Sequence, residues 1–152
     1  MAAPPRGNTG HSVYFITAST FQKQSLFQSA RMARLFIDVL QHYRQQEKYL
    51  LHEFVLMSDH FHLLITPALT LERAMQLIKG DFSFRAKREL GFGGEIWQKS
   101  YYHRRVRDME EYQSFREYIQ LNPVRRGLAD VAENTLTVRC GRSLRWMASL
   151  SG

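Results

Sequence analysis

Two apolar runs, Leu50–Leu56 and Phe61–Thr66, stand almost end to end, with Met57-Ser58-Asp59 between them and Pro67 closing the second. Runs of this length bounded by turn formers and a proline read as strands, and so short a link makes each strand the other's natural antiparallel neighbour. A hairpin cannot bury its own apolar faces, so the rest of the chain has to cover it.

The flanking segments supply that cover. His11–Thr20 is rich in β-formers and reads as a first strand. From Ser29 to Glu47, Met32, Leu35, Phe36, Val39, Leu40 and Tyr43 recur at helical spacing. Leu71–Leu90 returns to the same period, with Thr70 as its N-cap, and Gly91-Phe92-Gly93-Gly94 breaks it. Ile96–Val106 can supply a last strand, and a helix follows from Asp108 with Tyr112, Phe115, Ile119 and Leu121 as packing positions and Asn122-Pro123 as its end. The order β, α, β, β, α, β, α predicts an α+β, ferredoxin-like sandwich: an antiparallel sheet with helices on one face, and a C-terminal helix.

A chain of 152 residues with 44% hydrophobic content is one domain over 1–152, with a core at about 11–130 and a basic tail at 131–152 in which Thr135–Val138 can form an extra strand. The single cysteine, Cys140, excludes an internal disulfide and a multi-cysteine zinc site. No secretory segment opens the chain and no apolar run is long enough for a bilayer, so a soluble, cytoplasmic protein without a membrane partner is expected.

The formal charge is +7, and the excess lies in the second half: Lys99, Arg104, Arg105, Arg107, Arg125, Arg126, Arg139, Arg142 and Arg145. Such an excess suits a polyanion, although a solvated basic face is the plainer reading. In Lys99-Ser-Tyr-Tyr-His-Arg-Arg-Val-Arg107 cations alternate with aromatic rings, the combination that neutralises phosphates and stacks on exposed bases, so single-stranded nucleic acid is the expected partner.

His60-Phe61-His62 lies inside the hairpin. On a strand, residues two apart share a face, so both imidazoles project together while Phe61 points into a core. Two neutral imidazoles can hold a divalent cation, with a further ligand coming from elsewhere; packed, hydrogen-bonded histidines are the alternative.

Val55-Leu-Met-Ser-Asp-His-Phe-His-Leu-Leu64, Ile78-Lys-Gly80, Trp97-Gln-Lys-Ser-Tyr-Tyr102 and Arg116-Glu-Tyr-Ile-Gln-Leu-Asn-Pro-Val-Arg125, in this order, resemble the Y1 transposases of the IS200/IS605 type. The chain looks most like their REP-associated tyrosine transposase branch. The resemblance covers roughly residues 11 to 130 and implies an HUH single-stranded DNA endonuclease and strand transferase. In that family the histidine pair would fall on His60 and His62, the nucleophile on Tyr118, and a helix-borne ligand for Mg²⁺ or Mn²⁺ on Asn122. By the residues alone, Tyr101, Tyr102 and Tyr112 are equally available hydroxyls, and an Asn before Pro often simply ends a helix. Tyr118 and Asn122 are four apart and therefore share a helix face.

The resemblance implies a 5′-phosphotyrosine intermediate on single-stranded DNA, with a REP-like hairpin as partner; it allows a homodimer and calls for no organic cofactor. The residues expected to touch nucleic acid are Lys79, Lys99, Tyr102, His103, Arg104, Arg105, Arg107, Arg125 and Arg126. One departure is Tyr102-His103-Arg104, where many relatives carry an aspartate before the histidine. Two competing functions are a metal-dependent nuclease that hydrolyses nucleic acid without an adduct, and a hairpin-binding protein without catalysis.

Overall fold

In the computed structural model the described residues are 12–125, the last three as backbone only. Strand β1 (Tyr14–Ser19) passes through two short 3-10 turns into helix α1 (Ala30–Gln45). The hairpin is β2 (Tyr49–Leu56) and β3 (His60–Pro67), followed by α2 (Leu71–Leu90), β4 (Tyr102–Arg105) and α3 (Met109–Arg125). The four strands form one antiparallel sheet in the order β2-β3-β1-β4, the ferredoxin-like arrangement expected.

Local chemistry sets the helix ends. Ser29 caps α1 by accepting the Met32 N–H, and Thr70 caps α2 by accepting that of Arg73. Gly91 stops α2 in the left-handed conformation (φ 69°), where a side chain would be strained.

Strand alternation divides the sheet into two faces. Ile16, Ala18, Phe54, Leu56, Phe61, Leu63 and Ile65 face α1 and α2 and build the main core. Within it Phe27, Phe36, Phe61 and Phe82 crowd around Trp97. The other face carries a smaller cluster, Phe15, Val55, Met57 and Leu64, which Ile119 of α3 plugs. The first two helices thus cover one face and the C-terminal helix the other.

Three expectations are corrected here. Of Ile96–Val106 only Tyr102–Arg105 forms a continuous strand; Trp97 makes one isolated antiparallel bridge to Thr20 at the end of β1, while its indole donates to the Lys79 carbonyl (3.1 Å) on α2. Asn122-Pro123 does not end α3, which continues to Arg125; a proline forfeits one backbone bond, and a helix near its end carries that loss. Leu121 is exposed rather than packed, and its neighbour Asn122 is buried instead. Thr135–Val138 lies outside the described residues.

Candidate active site

The candidate site is built on the sheet face that α3 covers. Alternation along β3 sends His60, His62 and Leu64 to this face, and both imidazoles are buried. A buried ring needs partners for its polar atoms, and each histidine finds one at Nδ1. His60 Nδ1 lies 2.7 Å from the Asp59 carboxylate. A carboxylate only accepts, so this contact places a proton on Nδ1. His62 Nδ1 lies 2.8 Å from the hydroxyl of Thr17, the residue directly across on β1. Phe15, two residues along β1, stacks on the His62 ring at 5.5 Å and 18°. The two imidazoles stand nearly perpendicular with centroids 4.8 Å apart.

Helix α3 brings the other candidates to the same place. The Tyr118 ring stands edge-on to His62 at 5.3 Å and to Phe15 at 5.9 Å, and it is 38% exposed. One turn on, Asn122 is 2% exposed, and its Nδ2 is 3.5 Å from His62 Nε2. Its Oδ1 is buried and has no hydrogen-bond partner among the described residues. An orphaned amide oxygen beside two imidazoles whose Nδ1 atoms are engaged is a donor set into which a divalent cation fits. Among the described residues no group of three or more His, Cys, Asp or Glu could hold a metal ion. All these side chains come from one chain.

Several supports had no such role assigned to them from the sequence. Phe115 stacks on Phe15 at 4.2 Å, so one aromatic column runs from α3 through Phe15 to His62. Arg104 on β4 binds the Glu111 carboxylate of α3 (Nε to Oε2 3.1 Å), and the Arg107 backbone N–H donates to its other oxygen at 2.8 Å. Those donors hold the Glu111 carboxyl below the usual carboxylate range, the Arg107 N–H first and Arg104 second. At the other edge, Glu53 on β2 accepts from Gln120 Nε2 at 2.8 Å and lies 3.9 Å from the Arg116 guanidinium. Asp59, adjacent to His60, was the one support with a signal in the sequence; Thr17 and Glu53 meet their partners only through strand and helix packing.

A family profile described as "Transposase IS200 like" matches residues 10–122. The chain belongs to the IS200-like transposase family. Its fold is similar to that of a solved structure of a REP-associated tyrosine transposase bound to a REP hairpin, with TM-score 0.67, 20% identity, and coverage of 88% of this chain and 79% of that one. It is also similar to a structure from Deinococcus radiodurans R1 assigned as a transposase, with TM-score 0.53, 19% identity, and coverage of 84% and 98%. Comparison with curated proteins finds no match.

The expected nucleic-acid residues of this transposase do not form one surface. Tyr102 and Arg104 alternate toward the α3 face, where the exposed Tyr102 ring meets Phe15 edge-on at 6.3 Å. His103 and Arg105 point the other way, and His103 meets Tyr14 and Tyr101 at 6.4 and 5.7 Å. Lys79 sits behind the sheet on α2, its ammonium 5.4 Å from the Tyr101 ring, 5.9 Å from Trp97 and 3.3 Å from the Gln98 carbonyl. Burial there pushes the Lys79 pKa down and that of Tyr101 up. Both line an open groove of about 610 Å³ beside Arg73 and Gln76. Lys99 and Arg107 are exposed. The side chain of Arg125 and all of Arg126 lie outside the described residues.

Proposed function

We propose that this transposase is a metal-dependent single-stranded DNA endonuclease and strand transferase in which Tyr118 is the nucleophile, acting on REP-like hairpins. The observation that carries the reading is the meeting of Tyr118 and Asn122, one helical turn apart, with His62 and its neighbour His60. Asp59 and Thr17 engage the imidazole Nδ1 atoms, which would leave the Nε2 atoms as the metal ligands. With the Asn122 amide oxygen they would bind Mg²⁺ or Mn²⁺, which supplies Lewis-acid polarisation of the scissile phosphate.

Phe15 and Phe115 pack the Tyr118 helix against the sheet, and the ring contact of Tyr118 with Phe15 would help to aim its hydroxyl at phosphorus. As the phenolic oxygen bonds to phosphorus, its proton leaves and the bond from phosphorus to the 3′ oxygen breaks. That oxygen takes up a proton, leaving a free 3′-hydroxyl and a 5′-phosphotyrosine. One phosphodiester is exchanged for another, so a second 3′-hydroxyl can reverse the step and join new ends without an external energy source.

The exposed Tyr102, Lys99 and Arg107 would contact the strand, with His103, Arg105, Arg125 and Arg126 extending the basic surface. Lys79 would act from the α2 groove. Arg104 already neutralises Glu111, so its contribution to DNA is secondary. A homodimer would not be needed to complete a site that one chain assembles. Among the described residues no helix is long and apolar enough to cross a membrane, and a cytoplasmic location would give the enzyme access to DNA.

The test is a denaturing gel of 5′-labelled and 3′-labelled single-stranded REP-like DNA with Mg²⁺ or Mn²⁺, comparing the native chain with Tyr118→Phe. A protein adduct bearing only the 3′ label, absent in the variant that still binds DNA, is the expected result. Cleavage without an adduct would replace this reading with hydrolysis, and binding without cleavage would replace it with a hairpin-binding role.

A further inference from the structure

Glu53 is a carboxylate with 0% exposure on β2, and the reaction outlined above leaves it unused. A strand facing a helix packs most simply with an apolar side chain, and a buried carboxylate is costly unless donors and a counter-charge meet it. Both come from α3: Gln120 donates at 2.8 Å and Arg116 lies at 3.9 Å. These two residues are four apart, share one helix face and bracket Tyr118 in sequence.

The backbone is shaped to make this contact. A register shift falls between Leu51 and Glu53, which pair with Ile65 and Leu64 respectively. Without that bulge, Leu51 and Glu53 would face the same side of the sheet. With it, Leu51 stays in the main core while Glu53 turns to the α3 side, opposite Leu64 and one pleat from the pairing of Val55 with His62.

We infer that Glu53 is a positioning residue: through Gln120 and Arg116 it fixes the rotation and axial position of α3, and thereby holds Tyr118 and Asn122 against His60 and His62. Among the described side chains, Ile119 is the one buried apolar member from α3, with Tyr112 and Phe115 partly buried beside it. Apolar contact is non-directional and tolerates sliding, whereas a hydrogen-bonded carboxylate admits one placement. One residue of rotation turns a helix by about 100°, enough to carry Tyr118 off the site. The role of Tyr118 rests on the function proposed above; the fastening of α3 does not.

The experiment compares the full chain with Glu53→Ala and Glu53→Gln by hydrogen exchange, by affinity for a REP-like hairpin, and by the single-turnover rate of Tyr118–DNA adduct formation with Mn²⁺. In Glu53→Ala the α3 amides from Tyr112 to Asn122 are expected to exchange at least about tenfold faster while α1 and α2 are unchanged. The adduct rate should fall by about tenfold or more, with hairpin affinity held within about twofold, as expected when alignment and not binding is lost. Glu53→Gln keeps a carbonyl for Gln120 and should recover most of both losses. Unchanged α3 protection would overturn the inference, as would a loosened α3 with an unchanged adduct rate. Should the native chain form no adduct, the proposed function falls, and hydrogen exchange still decides whether Glu53 holds α3. Should Glu53→Ala not fold, Gln120→Met makes the same comparison from the helix side: it is expected to speed α3 exchange and slow the adduct step while Glu53→Gln stays near native, and a native-like Gln120→Met refutes the inference.

Discussion

Thr17→Val isolates the hydroxyl that holds His62. Valine matches threonine in shape and is as good a strand former, so β1 and its pairing with β3 and β4 should persist. What disappears is the oxygen 2.8 Å from His62 Nδ1, beside a ring that is 4% exposed. If the ring keeps its proton on Nδ1, a buried donor goes unpaired, at a cost of about 1–3 kcal/mol. If the proton moves to Nε2, the lone pair on the Asn122 side is lost. Either route weakens the cation site, and loss of such an outer partner costs about 10–100-fold in metal affinity, or roughly 1.4–2.7 kcal/mol. Mn²⁺ titration followed by electron paramagnetic resonance should show this weakening in Thr17→Val and near-native binding in Thr17→Ser. Adduct formation should slow at low Mn²⁺ and recover as Mn²⁺ is raised. Native Mn²⁺ affinity in a folded Thr17→Val protein would refute the claim that this hydroxyl orients His62 as a ligand.

Two further predictions concern stability. Burial first, and the nearby Arg116 charge second, push the His52 pKa below its ordinary value, so the folded state favours the neutral ring that bonds Thr66 at 2.8 Å. That contribution is complete above the unfolded pKa of about 6.5 and is lost as pH falls from there toward the folded pKa. Melting temperature should therefore fall less between pH 7.5 and pH 5.5 in His52→Gln than in the native chain, and equal slopes would contradict the assignment. Trp97→Ala should destabilise by about 3 kcal/mol in urea unfolding, the lower end for a large core aromatic because the indole is only partly buried. A loss below about 1 kcal/mol would mean that the Trp97 segment does not close the core.

Much of the fold was legible because helices and strands write their periods into the chain. The helix from Leu71 to about Leu90 was legible, since Thr70 and Gly91 mark its two ends with local chemistry. The hairpin was legible from its apolar runs and short link. The end of α3 was not, because Asn-Pro signals a boundary that the surrounding helix overrides. Nor was the short β4, because the segment before it keeps only an isolated bridge from Trp97 to Thr20, and the Trp97 ring docks among residues distant in sequence.

For the candidate site, the sequence by itself determined two juxtapositions: His60 with His62, and Tyr118 with Asn122. Both follow from bonded geometry, two residues along a strand and four along a helix, and hold wherever those elements pack. The tertiary structure decided that the two pairs meet, since nothing local says which sheet face α3 covers. It also decided that Tyr118 stands against His62 while Tyr112 stands against His52 and Tyr101 against Lys79. It placed Thr17 opposite His62, turned Glu53 toward α3 through a bulge, spent the charge of Arg104 on Glu111, and set Lys79 behind the sheet. Register, bulges and the choice of sheet face are settled by packing between segments tens of residues apart, and a local period carries no information about them.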